Sequence, residues 1–296
     1  MSLKAKKKVI FVNGVKALRN LSNRFCDQYI CPLCLKEFTN LDLENGLLTL
    51  EHAPPRSIGG RGIVLTCADC NNKPGTKLDS QLIARMDFNK SMSYFANNLD
   101  LNLKRTRAKF TIGNHEINVD LVKEKNSTNI VFLRKENNPN KLTQAEDYIK
   151  RLIKSNAWSG TEFNIAPKNT YHKWKSQLAI LKSAYLLAFA KFGYKYIFQK
   201  DFDAIRQQIL DPNLKLEKNF WLNGNYKKDP ILLHAKFPFE CILVNIEGHI
   251  VMLPGFSESG NCYVELRKKF VPGQNLNFTG DIYTFPKKFE AIWDGA

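Results

Sequence analysis

Two Cys-x-x-Cys pairs, Cys31-Pro-Leu-Cys34 and Cys67-Ala-Asp-Cys70, stand 32 residues apart near the start of a 296-residue chain. Each pair sets two thiolates on one tight turn, and two such turns together complete a tetrahedral site for a borderline-soft ion such as Zn2+. A redox pair needs only one such turn, so the spacing points to structural zinc rather than thiol exchange. Zinc held by four sulfurs has no open position; it fixes a loop and does no chemistry. A reaction must therefore be carried by what lies between the pairs. There the chain reads LLTLEHAPPRSIGGRGIVLTCADCNNKPG, in which Glu51 and His52 close a β-like run just ahead of Pro54 and Pro55. The prolines stop the strand and send the chain into a loop at Gly59 and Gly60, leaving a carboxylate and an imidazole at its mouth. With an ordinary pKa of about 6.5, imidazole is matched to taking a proton from water at cellular pH.

The ordered elements C-x-x-C, Glu-His, P-x-S-x-G-G and L-T-C-x-x-C-N-x-K resemble the HNH endonuclease family with its ββα-metal fold. The match runs from Cys31 to Lys77, about a sixth of the chain. The resemblance implies a hairpin followed by a helix, with the acid-His pair ending the first strand and the second Cys pair with Asn71 opening the helix. It implies His52 as the general base, and Glu51 and Asn71 as ligands of a catalytic divalent cation, Mg2+ or Mn2+. Hard oxygen donors suit such an ion, which keeps open positions for water and substrate. One departure is plain: the middle Asn of the family signature, five residues before the second Cys pair, is here Gly62. That residue usually steadies the loop that holds the histidine. Arg56, Arg61, Lys73 and Lys77 surround the same loop and can touch flanking phosphates; each alone is an ordinary surface charge.

The function implied is metal-dependent hydrolysis of DNA phosphodiester bonds. RNA is also open, since attack by external water needs no 2′-hydroxyl. The alternative is a noncatalytic zinc-knuckle module that binds nucleic acid. The net charge of +16 and pI near 9.5 agree with a polyanionic partner in either case. Ordinary apolar and charged fractions argue for a folded chain. The most apolar stretch, Leu178 to Phe198, is interrupted by Lys182, Lys191 and Lys195, so it reads as a buried helix and not a membrane span. No secretory leader is evident, so the expected setting is cytoplasmic, where Cys26, Cys241 and Cys262 are buried thiols.

The elements that must position these residues fall into three parts. Residues 1–24 carry seven Lys or Arg and no acid, a basic arm that lies on phosphates or extends as a solvated tail. Residues 25–100 hold the zinc-stapled ββα module, and residues 101–296 an α+β region for substrate recognition or oligomerisation. Overall the fold class is α+β, with a small antiparallel sheet between Leu101 and Leu133 and mostly strands after Pro230. Asn137 to Lys141 reads as a linker, with Thr143 and Glu146 as a capping box opening the next helix. Further helices are expected from about Tyr171 to Lys191 and from Asp201 to Leu210. The first interleaves Lys173, Lys175, Lys182 and Lys191 with Trp174, Tyr185 and Phe189, a pattern of strand-binding surfaces or simply of a helix core. Asp79 reads as a capping or surface residue, and His115, His172, His234 and His249 as structural. A homo-oligomer is open.

Overall fold

A computed structural model describes residues 2–25, 27–72, 76–97, 105–124, 127–168, 171–218, 220–223, 231–246, 248–257, 261–270 and 276–284. Cys26 and Lys73 lie outside the described residues. The first element is a helix, α1 (Leu3–Leu21), capped by Ser2, whose hydroxyl accepts from the Ala5 N–H. The expected basic arm is thus an ordered amphipathic helix. Phe11, Val15 and Leu18 fall three or four residues apart and are buried together with Ile10, while most of the lysines face water. Short strands β1 (Tyr29–Ile30) and β2 (Glu37–Phe38) pair around the first Cys turn, and α2 (Asn40–Glu44) follows with a Thr39/Asp42 capping box. The hairpin comes next: β3 (Leu48–Ala53) pairs antiparallel with β4 (Arg61–Cys67). It runs into the short helix α3 (Ala68–Cys70) and then α4 (Thr76–Asn97).

Strands β5 (Thr106–Ile112), β6 (His115–Glu124) and β7 (Ser127–Phe132) form a meander, followed by α5 (Pro139–Lys154) and β8 (Phe163–Pro167). Then come α6 (Lys173–Ile197), α7 (Phe202–Leu210), β9 (Trp221–Asn223), β10 (Ile231–Phe237), β11 (Cys241–Ile246), β12 (His249–Pro254), α8 (Cys262–Lys269) and β13 (Thr279–Thr284). The fold is mixed α and β, and all strand pairs are antiparallel.

The chain divides into two compact units, residues 84–171 and the remainder. The smaller is a four-stranded sheet in the order β7-β6-β5-β8 with α5 on one face. Alternation along β5 sends Ala108, Phe110 and Ile112 into a core with Ile117, Val119, Leu121, Leu142 and Ala145. Its helix starts earlier than the sequence suggests. Asn138 is the N-cap, accepting from the N–H groups of Asn140 and Lys141, and Pro139 is the first helical residue. The NNPNK stretch is therefore no linker, and Thr143 lies inside the helix with its hydroxyl on the Pro139 carbonyl. Proline suits that first position because its missing N–H would have had no partner there.

The larger unit is organised by α6. From Leu178 to Ala190 every residue is buried, so the helix is enclosed all round rather than amphipathic. It packs against β3 and β4, α1, α7, and the β11 and β12 strands of a five-stranded sheet ordered β13-β10-β11-β12-β9. Tyr185 and Phe189 belong to this core, and Lys182 is buried with them rather than presented to a nucleic acid. Burying each such Leu, Ile or Phe is worth roughly 1.5–3 kcal/mol, which makes α6 the main anchor of the unit. Among the described residues after Pro230 strand predominates, as expected, but they also include α8, capped by Asn261. Among the described residues no helix is long and apolar enough to cross a membrane.

Candidate functional site

The four cysteines come together. The Sγ atoms of Cys31, Cys34, Cys67 and Cys70 lie within 4.8 Å of one another, the single such cluster among the described residues. A tetrahedral Zn–S site with bonds of about 2.3 Å requires sulfurs ~3.8 Å apart; Cys34 and Cys67 stand at 3.7 Å. The donor set therefore fits a structural zinc ion. The first turn is closed by the Leu35 N–H on the Cys31 carbonyl, with Leu35 at φ 57. The Cys67 N–H donates to the Cys31 sulfur at 3.3 Å, as expected where thiolate charge must be stabilised. Hydrogen bonds with the other thiols, Cys31 first, hold Cys34 far below the usual thiol range, and those with Cys31 and Cys70 lower Cys67 to about 7 against an opposing one with Cys34.

Buried tyrosines tie this knuckle down. Tyr29 donates to the Leu65 carbonyl and accepts from the Leu65 N–H, joining the knuckle to β4. From α6, Tyr185 donates to the Pro32 carbonyl at 2.6 Å. Near its end α6 kinks at Gly193, where φ is 72 and ψ −161, and the next residue, Tyr194, turns its hydroxyl onto Ile30.

The hairpin carries Glu51 and His52 near the end of β3 and turns through Pro54 and Pro55 into a 3-10 turn at Arg56–Ile58. Gly60 is required by space: a Cβ there would come 1.4 Å from the Pro54 carbonyl oxygen. A bulge falls between Glu51, opposite Val64, and His52, opposite Gly62. Such a bulge re-aims adjacent side chains, and here Glu51 is buried while His52 stays half-exposed. Gly62 faces His52 with no side chain to steady it. A Cβ at 62 would meet the Leu50 side chain at 2.5 Å, so the expected Asn would fit only if Leu50 shifted.

Burial first, then the charges of Arg56 and Lys6, lower the pKa of His52, which keeps the imidazole neutral near pH 7. Arg56 and Arg61 are exposed at the loop, and Lys77 is exposed on the first turn of α4. Lys6, on α1, was not foreseen at this site; it feels both His52 and Arg61 electrostatically.

Glu51 is placed differently from expectation. It is 2 % exposed, and its Oε1 lies 2.7 Å from Nζ of Lys182, itself 1 % exposed. The same ammonium is 3.1 Å from both carboxylate oxygens of Asp79. Asp79 is accordingly part of the site and not a surface cap. Burial opposes the charge on Lys182, but Glu51 and Asp79 outweigh it and hold its pKa above the ordinary lysine value. Burial pushes Glu51 and Asp79 up in spite of the ammonium, since one cation serves two carboxylates. Asn71 donates its amide N–H to Thr49 Oγ1 at 2.9 Å. Thr49 shares a strand face with Glu51, one pleat or roughly 7 Å away, so the two expected ligands are neighbours committed to different partners. A divalent cation needs accessible oxygens and room for its own waters. A carboxylate enclosed against an ammonium provides neither, and as arranged these residues do not fit Mg2+ or Mn2+.

No protein-family model, no curated protein and no solved structure matches the chain.

Proposed function

We propose that the chain hydrolyses phosphodiester bonds of nucleic acid, DNA first, with His52 as the general base. The observation that carries this reading is the placement of one neutral, half-exposed imidazole on a hairpin that leads into the cysteine-held helix, with Lys6 and Arg56 close enough to bear on it. A water beside the free ring nitrogen would give up its proton there as it attacks phosphorus. Lys6, Arg56 and Arg61 would draw the phosphate in and offset the charge that grows on its oxygens. Mg2+ or Mn2+ belongs to the family resemblance; no step here passes through such an ion.

Supercoiled plasmid incubated with the zinc-loaded chain, with and without Mg2+ or Mn2+, tests the assignment. The native chain should nick or linearise it, and His52→Ala should be slower by about a hundredfold or more; equal rates would overturn it. Parallel single-stranded RNA and DNA substrates separate the two polymers.

The pairing of Glu51 with Lys182 favours a second reading, a noncatalytic zinc-stapled module that binds nucleic acid through its basic surface. If neither the native chain nor His52→Ala cuts, yet both bind duplex DNA with affinity falling steeply as salt rises, that reading holds.

A further inference from the structure

Three elements remote in sequence converge beneath the hairpin. Glu51 comes from β3, Asp79 from the first turns of α4 and Lys182 from the enclosed part of α6. Three carboxylate oxygens surround one ammonium at 2.7, 3.1 and 3.1 Å. Lysine is among the residues least often fully buried, and where it is, it is paired. Removing two carboxylates and an ammonium from water is costly, and apolar residues of similar size would commonly serve stability as well. The geometry is that of a small cation site: acidic oxygens from separate elements facing one central positive charge. That charge is covalently part of the chain.

We infer that the Lys182 ammonium is the resident cation of the Glu51–Asp79 site, so that the native chain binds no divalent ion there and loss of the ammonium turns the same oxygens into a divalent-cation site. Two features support this. The ammonium stands within bonding distance of Glu51 and of both Asp79 oxygens, so a metal ion bound to both carboxylates would have to share its position. Its stem is locked between Leu181 and Ser183 in a helix with every neighbour buried, which leaves it no solvent to swing into. Lys182 is then a positioning residue: it holds Glu51 inward across the bulge from His52 and fixes the end of β3 against α4 and α6. The inference uses none of the residues that carry the hydrolase reading, and its test is binding alone, so either can fail without the other.

The experiment is a Mn2+ titration of the full-length, zinc-loaded chain followed by electron paramagnetic resonance of the free ion, on native protein, Glu51→Gln, Lys182→Met and Lys182→Met combined with Glu51→Gln. Native protein and Glu51→Gln should be indistinguishable. Lys182→Met should gain one Mn2+ per chain, at least tenfold tighter than native, and the double variant should lose it. Mn2+ bound to native protein and released by Glu51→Gln would overturn the inference, as would a folded Lys182→Met chain with no gain. A purely structural ion pair predicts no such gain. Should Lys182→Met fail to fold, circular dichroism with added Mn2+ decides: recovery of native signal supports the inference. Failure to recover overturns the claim that these oxygens can form the site.

Discussion

The hydroxyl of Tyr194 donates to the carbonyl of Ile30 at 2.7 Å and accepts from the N–H of the same residue at 3.1 Å, so one side chain satisfies both backbone groups of the residue before the first cysteine of the cluster. Tyr194 is 1 % exposed and also packs edge-on against Tyr29. Tyr194→Phe keeps the ring and leaves both buried groups without this partner. It should cost about 1–3 kcal/mol, read as a lower urea midpoint at unchanged slope, and chelators should strip zinc from the variant faster than from native protein.

One zinc per chain is expected by elemental analysis, with none in Cys34→Ser/Cys67→Ser. Because the ligands bind as thiolates, protons compete with zinc, and retention should fall as pH drops below neutrality. Circular dichroism should record loss of structure around the hairpin in step with zinc release. Zinc loss with unchanged structure would contradict the staple.

Gly62→Asn restores the residue that the HNH resemblance leads one to expect opposite His52, yet its Cβ would press on Leu50. The variant should be destabilised by about 1–3 kcal/mol, seen in thermal melting, and no faster in cleavage. A stabilised or faster variant would mean that Leu50 yields easily.

The lowered pKa of His52 has a kinetic signature. A general base works only when unprotonated, so kcat/KM for plasmid cleavage should rise with pH through the folded-state pKa of His52, below the ordinary value of about 6.5. It should then be flat through pH 7 to 8. A rise centred above pH 7 would assign the base elsewhere.

Glu240 offers a test remote from the hairpin. Burial opposes its charge, but hydrogen bonds from Ser257, His234 and the Phe256 N–H prevail and hold it at about 2. A carboxyl depressed in the folded state stabilises above its unfolded pKa of about 4.3. That contribution fades as pH falls towards 2. Glu240→Gln should therefore lose about 1–3 kcal/mol at pH 7, with the gap to native protein closing between pH 4.5 and 2 in urea melts.

Local signals were legible in the sequence where the chemistry is local. The cysteine spacing located the cluster, the prolines after His52 located the turn, and the alternation of FTIGNHEINVDLV located β5 and β6. Asn138-Pro139 was misleading because the same dipeptide serves a linker and a helix start, and only the hydrogen bonds distinguish them. Lys182 was the larger omission, since its partners lie more than a hundred positions away. A signal existed: it is the sole charge between Leu178 and Ala190, a stretch apolar on all sides, and a lysine there demands an acid. Asp79 could not be matched to it without the packing of α4 on α6. Lys6 was hidden because a run of lysines does not tell which one the helix turns towards a neighbour.

The order in which the chain is made follows from the same long reach. Glu51 and Asp79 leave the ribosome about a hundred residues ahead of Lys182, roughly 5–20 seconds at ordinary synthesis rates. Until α6 is made, the nascent hairpin carries two carboxylates without the Lys182 counter-charge and a cysteine knuckle without Tyr185 and Tyr194, so completion of this module waits on the synthesis of residues 173–197.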